Sequence, residues 1–243
     1  PTGRCGVSAQ ATPADVLRGD ARWCVVEGDA TDVTPALPDG CVIVITDPPY
    51  DERTHGGYKT GNGHSRGGLD SVHKIAIPFA PAAPADIVPE LLRISRGWVI
   101  AFCALEQLGA YQTASGASWV RAGLWHRPRA APQFTGDRPA QAADGVAIMH
   151  ARRTKLAWNG GGSHAFWSIG HAPDEEGPSR GHVTRKPVLL MRELVRLFSD
   201  RDDVVFDGCA GSGTTGVAAI AEGRRVILCE RVPEYAAITR ARL

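Results

Sequence analysis

Four consecutive residues hold the most specific chemistry in this sequence. The apolar run Val42-Ile43-Val44-Ile45-Thr46 stops at Asp47-Pro48-Pro49-Tyr50. Two prolines fix φ and donate no N–H, so the Pro48 carbonyl can leave the strand end unpaired beside the Asp47 carboxylate. Two adjacent acceptors suit an exocyclic amine, which has two N–H groups to give. Accepting both draws the nitrogen lone pair out of conjugation with its ring and makes the nitrogen a nucleophile. Tyr50 offers a face on which a base taken out of a duplex can stack, a contact worth about 1–3 kcal/mol. Asp47, Pro48, Pro49 and Tyr50 are therefore the catalytic candidates. The plainer alternative is a strand-ending turn with an incidental aromatic.

A second segment supplies a ligand cradle. Val204-Val205-Phe206-Asp207 runs into Gly208-Cys209-Ala210-Gly211-Ser212-Gly213-Thr214-Thr215-Gly216 and then into a helical pattern. Glycines at 211, 213 and 216 let the backbone turn sharply and let a ligand approach the N–H groups at the helix start. Further on, Glu230 ends a strand, where a carboxylate can accept hydrogen bonds from ribose hydroxyls. Spacing alone makes this a nucleotide site, and Asp207 narrows it. A carboxylate at the strand end repels a pyrophosphate but suits the cationic amino-acid half of S-adenosylmethionine (AdoMet), whose ammonium and sulfonium are both positive. AdoMet ranks above a nicotinamide dinucleotide.

These segments need a scaffold. Short apolar, largely β-branched runs predict strands at Cys24 to Glu27, Val42 to Thr46, Trp98 to Cys103, Gly145 to His150, Val204 to Phe206 and Val226 to Cys229. They alternate with helical patterns at Ile87 to Ser95, Val188 to Phe198 and Thr214 to Ala221, which argues for a mostly parallel sheet covered on both faces. A chain of 243 residues, 43% of them hydrophobic, can bury one sizeable core. The first 20 or so residues show no clear pattern. Residues 51 to 74 carry six glycines with Arg53, Lys59, Arg66 and Lys74 and read as a mobile functional loop.

Charge points to a partner through its placement. The net charge of +1 says little as a total. Residues 121 to 155, however, hold seven basic side chains against two acids, with Trp125 and Phe134 among them. With the glycine-rich loop they give Arg53, Lys59, Arg66, Lys74, Arg129, Arg138, Arg152, Arg153 and Lys155 as DNA-binding candidates, the plainer alternative being a solvated basic surface. The six cysteines form no C-x-x-C pair and have no histidine at metal-ligand spacing, so reduced thiols and no metal are expected. No apolar stretch is long enough for a membrane span, and the opening residues lack a secretory pattern. A soluble cytoplasmic protein is expected.

On these motifs the chain resembles the bacterial and phage amino-methyltransferases that modify adenine N6 or cytosine N4 in DNA, in particular the β-class. That group places Asp-Pro-Pro-Tyr early, a target-recognition region next and the AdoMet-binding half last. The resemblance runs from about Val25 to Leu243. It implies that Asp47, Pro48 and Tyr50 form the catalytic motif and Phe206 to Thr214 the AdoMet motif. Glu230 would be the ribose acid, and Gly28-Asp29-Ala30 the turn beside the cofactor adenine. His182-Val183-Thr184-Arg185-Lys186-Pro187 matches the segment opening a helix under the methionine tail, and Gln133 to Pro139 with Trp125 resembles the stretch before the recognition region. The cofactor candidates are thus Asp29, Ala30, Asp47, Thr184, Lys186, Asp207, Gly208, Cys209, Gly211, Ser212, Gly213, Thr214 and Glu230. One departure stands out: the family usually has Asp-Pro-Phe where this chain has Asp207-Gly208-Cys209.

The implied fold is an α/β, Rossmann-like AdoMet-dependent methyltransferase fold: a seven-stranded mixed sheet flanked by helices, circularly permuted, with a small inserted target-recognition region. The strand feeding Gly28-Asp29 should then lie beside the strand ending at Glu230. The expected division is a tail (1–22), a catalytic half (23–151), a recognition region (152–182) and an AdoMet half (183–243). The expected activity is methyl transfer to adenine N6 in double-stranded DNA with base flipping, because Asp rather than Ser opens the family's motif in adenine enzymes. Cytosine N4 is the nearest rival. A silent DNA-binding subunit of the same fold is the alternative from another class. The short recognition region suggests a homodimer or higher oligomer.

Overall fold

The computed structural model describes residues 10–50, 82–130, 132, 136–171 and 185–243. The loop expected at 51–74, together with His182 and Thr184, lies outside them. The described residues build one eight-stranded sheet, and its interior follows from the two-residue period of its central strands. In β2 (Val42–Thr46), Val42 and Val44 enter one core, and Ile43 and Ile45 enter the other. β3 (Ser95–Cys103) does the same, with Val99 and Ala101 against Ile100 and Phe102. Every residue of β2 is buried, so this strand lies at the centre of the molecule and not at its surface.

The helices supply the other half of each core. On one face α1 (Pro13–Arg18), α3 (Pro84–Ile94) and α4 (Leu108–Ser115) contribute Val16, Val88, Leu91, Ile94 and Tyr111. On the other, α5 (Val188–Phe198) turns Leu190, Met191, Leu194, Val195 and Phe198 inward at helical spacing beside α6 (Thr214–Ala221). α1 lies in the segment expected to be a patternless tail. It is short but well capped, with Thr12 and Asp15 forming a capping box, Pro13 opening it and Gly19 closing it at φ 88°. Arg225 holds it by donating to the Val16 and Leu17 carbonyls.

The strand order is β1-β8-β7-β2-β3-β5-β4-β6, where β1 is Trp23–Glu27, β4 Trp119–His126, β5 Ala143–His150, β6 Phe166–Ser168, β7 Val204–Asp207 and β8 Arg225–Glu230. β1 pairs in parallel with β8, Glu27 opposite Glu230, so the expected neighbours from distant parts of the chain do meet. The expected count of seven is corrected to eight. In β4, Arg121, Gly123 and His126 interrupt the apolar pattern. β6 has only three residues, adds to β4 at the sheet edge and belongs to the stretch 152–182 expected as an insertion. That stretch is also tied down by Trp158, packed against Phe198, and by Asn159, whose N–H donates to the Leu197 carbonyl.

Topology puts the chemistry at one end of the sheet. β2, β3, β7, β8 and β1 are parallel, so their C-terminal ends form a single row. From β2 the chain continues to β3 on one side, while β7 continues to β8 on the other. The reversal leaves a crevice between the ends of β2 and β7, where open α/β sheets bind their ligands.

Candidate active site

Asp207 ends β7 and sits at the floor of this crevice, 2% exposed. Three donors converge on it: the Thr46 hydroxyl (2.9 Å) and the Cys209 N–H (3.0 Å) on Oδ1, and the Thr215 hydroxyl (2.5 Å) on Oδ2. Burial nevertheless raises its pKa to about 6, against the pull of those three bonds. The Gly-rich turn is braced from below. Glu230, 5% exposed, accepts the Gly211 N–H on one carboxylate oxygen (2.7 Å) and the Val232 N–H on the other (2.8 Å), and burial pushes its pKa up. From α7 (Pro233–Arg242), the Thr239 hydroxyl donates to the Gly211 carbonyl at 2.9 Å.

The glycines are needed for space as well as for backbone. Gly213 has φ +78°, and a Cβ there would meet Thr239 Cγ2 at 2.6 Å. A Cβ at Gly208 would lie 3.0 Å from the Ala30 Cβ, so the turn after β7 and the turn after β1 close on each other. Asp29 caps α2 (Ala30–Val33) by accepting the Thr31 N–H and hydroxyl, chiefly the backbone bond of which lowers its pKa. A solvent-open cleft of about 350 Å³ runs from Asp47 past Asp207 to Thr214 and Thr215. The Thr214 hydroxyl is buried there with no hydrogen-bond partner among the described residues.

Across the crevice the arrangement differs. Asp47 follows β2, with Oδ2 paired to the Lys186 ammonium at 2.5 Å and Oδ1 buried without a partner among the described residues. The Tyr50 hydroxyl is also buried without a partner of good geometry among the described residues, and burial, then the nearby Asp47 charge, raises its pKa well above the ordinary tyrosine value. Phe102 at the end of β3 and Trp125 near the end of β4 form an edge-to-face pair 6.1 Å apart. Asp144 stands opposite Trp125 in the sheet. Its pKa is raised by burial, against Lys186 and Arg127, the latter 3.6 Å away.

This geometry can now be set beside known proteins. Residues 125–241 match the N6/N4 methylase family model, described as DNA methylase. The chain is 24% identical over 246 residues to the type II methyltransferase M.HinfI of Haemophilus influenzae, spanning 90% of this chain and 67% of that protein. It is 26% identical over 283 residues to M.XycI of Xanthomonas campestris pv. cyanopsidis, spanning 94% and 89%. Over its C-terminal half the chain is similar to the N6/N4 DNA methylases. The fold agrees: the PvuII DNA methyltransferase (cytosine-N4-specific) superposes with a TM-score of 0.67 at 16% identity over 92% of this chain and 86% of that one. The M1.HpyAVI–SAM complex gives 0.63 at 17% identity over 91% and 100%.

The candidates divide in four when placed on the structure. Asp47, Tyr50, Lys186, Asp207, Cys209, Gly211, Ser212, Gly213 and Thr214 surround the crevice, with Asp29, Ala30 and Glu230 beside it. The Lys186 ammonium is on Asp47, not at the Gly-rich turn. Arg152 and Arg153 do not reach the crevice. They donate to the Ala117 and Arg93 carbonyls, with Asp39 near Arg153, at the start of β2 and β3. Five residues of strand at about 3.3 Å each separate that end from Asp47. Arg129, Arg138 and Lys155 are exposed, Arg138 paired with Asp137. Arg53, Lys59, Arg66 and Lys74 lie outside the described residues. Sequence reasoning missed Thr46, Thr215, Thr239, Phe102 and Asp144. Thr46 carried a signal: a hydroxyl at the end of an apolar strand is a natural donor to the carboxylate that ends a neighbouring strand.

Proposed function

We propose that this protein is a DNA methyltransferase that transfers a methyl group from AdoMet to the N6 amino group of adenine in duplex DNA. The observation that carries the proposal is Asp47 Oδ1, a buried carboxylate oxygen without a partner among the described residues, at the mouth of the crevice. An unmet acceptor in a buried place costs about 1–3 kcal/mol, so a site that retains one is built for a donor that arrives later. The target N–H is such a donor, and the unpartnered Tyr50 hydroxyl and ring stand beside it.

The crevice fits AdoMet on its own residues. The unpartnered Thr214 hydroxyl and the uncapped N–H groups at the start of α6 suit the methionine carboxylate. Asp207 suits the cationic end, Glu230 the ribose, and Asp29 with Ala30 the adenine. When bound, the cofactor supplies an electrophilic methyl group on a positively charged sulfur. The chain does the rest: Asp47 accepts a target N–H and frees the nitrogen lone pair, and Tyr50 stacks on the base and holds it in line. Asp at the first position of the motif supports adenine over cytosine.

The test is direct. The protein is incubated with tritiated AdoMet and mixed-sequence DNA, the DNA is digested to nucleosides, and the labelled one is identified. N6-methyldeoxyadenosine is expected. N4-methyldeoxycytidine would overturn the choice of base, and no label in DNA would overturn the activity. The short recognition stretch further supports a homodimer on DNA, which light scattering of the free protein and its complex would detect.

A further inference from the structure

Lys186 stands two residues before α5, ahead of Pro187 in extended backbone. Its side chain is almost wholly withdrawn from water, 8% of the residue remaining exposed. Nζ is 2.5 Å from Asp47 Oδ2 and lies over three aromatic rings, 4.8 Å from the centroid of Phe102, 5.5 Å from Trp125 and 5.6 Å from Tyr50. A buried ammonium loses its hydration, and only paired charge and ring faces restore part of it. The three rings and Asp47 therefore fix the cation, and Asp144 shares its charge.

The pairing makes the two Asp47 oxygens unequal. Oδ2 is held by Lys186, while Oδ1 is buried and without a partner among the described residues. A carboxylate free to rotate about its Cβ–Cγ bond would present either oxygen over a range of angles. One clamped on a single oxygen presents the other at one angle. We propose that Lys186 is a positioning residue for Asp47: it clamps Oδ2 so that Oδ1 alone faces the incoming amine. The proposal rests on Asp47 being the acceptor of the target amine. It also separates Lys186 from the cofactor role that the family resemblance implies, because a cofactor ligand would turn its ammonium toward the methionine carboxylate and leave Asp47.

Two substitutions test it in the 243-residue chain. Lys186→Met keeps the length and apolar stem and removes the charge, whereas Lys186→Ala also opens room for a small cation. Each is titrated calorimetrically with AdoMet and assayed for transfer to DNA from a bacterium lacking DNA methylation. In Lys186→Met the AdoMet Kd and the KM for DNA should each change less than about threefold, while kcat at saturating AdoMet falls about 30- to 100-fold, the scale of a misplaced catalytic group. Ethylammonium should restore part of the Lys186→Ala rate and none of the Lys186→Met rate. A near-normal kcat in Lys186→Met overturns the proposal. So does weakened AdoMet binding with kcat intact.

A readout free of DNA keeps this separate from the proposed activity. The chain has four lysines, Lys59, Lys74, Lys155 and Lys186, so nitrogen-15 spectra of labelled lysine are simple. One ammonium signal should be protected from exchange, vanish in Lys186→Met, shift in Asp47→Asn and stay put when S-adenosylhomocysteine binds. A signal unmoved by Asp47→Asn, or displaced by S-adenosylhomocysteine, shows that Lys186 does not clamp Asp47. Should the wild-type protein methylate no DNA, the proposed activity fails and the spectra still decide the clamp.

Discussion

The two walls of the crevice are finished to different degrees. On the wall formed by β7, β8 and α7, the protein meets both carboxylates itself and leaves the Thr214 hydroxyl and Arg240 Nε unmet among the described residues. The Asp207 carboxylate takes three donors, the Glu230 carboxylate two, and the Gly211 carbonyl is met by Thr239. On the wall formed by the ends of β2 to β5, Asp47 Oδ1, the Tyr50 hydroxyl and Arg127 Nε are all buried and unmet among the described residues. Folding tends to pair polar groups wherever it can, so the difference is informative. The first wall is a rigid seat whose shape the protein sets in advance. The second is a hydrogen-bond network left incomplete among the described residues.

The largest effect that could break this contrast is on catalysis. Asp47→Ala removes both acceptors from the unfinished wall and leaves the seat intact. Transfer should fall by at least about 10²- to 10³-fold while AdoMet binding stays within a few-fold, as read by calorimetry beside a transfer assay. Near-normal transfer would return the Asp-Pro-Pro-Tyr turn to a mere strand ending.

Next in size is damage to the seat itself. Gly213→Ala must hold an unfavourable positive φ and drive its methyl group into Thr239, so stability to urea should drop by about 2–4 kcal/mol. An unchanged unfolding midpoint would mean that the turn and α7 can move apart cheaply. Glu230→Gln leaves one oxygen where two backbone N–H groups now donate. One donor is stranded, and the loss of about 1–3 kcal/mol should appear both in stability and as roughly tenfold weaker AdoMet binding. If affinity falls while stability holds, Glu230 acts on the ribose alone.

The smallest effect sharpens the comparison by pH. The Asp207 pKa is raised to about 6, above its unfolded value, so its contribution to stability is fully present below about 4 and is lost as pH rises through about 6. The cofactor runs the other way. Its cationic half prefers the ionised carboxylate, so AdoMet affinity should weaken several-fold as pH falls from 7 to 5. Asp207→Asn should flatten that step in a calorimetric pH series. A step that persists belongs to another group.

How much of this was legible in the sequence depended on range. The Asp47 turn and the Gly-rich turn are local, each written in fewer than a dozen consecutive residues whose backbone needs are unusual, and both stand where they were expected. The central strands were equally plain, because burial on both faces leaves an unbroken apolar run. β4 and β6 were not, since Arg121, Gly123 and His126 break the apolar run of β4 and a three-residue strand has no period to detect. The role of Lys186 was hidden for another reason. It depends on Lys186 meeting Asp47 and three rings from β2, β3, β4 and the turn after β2, a meeting that no local pattern encodes. Arg152 and Arg153 illustrate the converse, because a basic run in sequence need not be a basic face once strand ends separate its members.

The pairing of β1 with β8 has a consequence for synthesis. Gly28 donates its N–H to the Glu230 carbonyl, so the floor under one end of the crevice joins residues separated by almost the whole described chain. Contacts of such long sequence separation form late, after the local ones have collapsed. A nascent chain stalled before β8 would already carry the Asp47 turn and the strands around it, yet lack both the Gly-rich turn's brace and the partner of β1. Such a chain should remain protease-sensitive around Trp23 to Asp29 until β8 has emerged from the ribosome, which limited proteolysis of stalled chains of increasing length would reveal. The order of events on the ribosome thus leaves the crevice without part of its floor until β8 has joined the sheet.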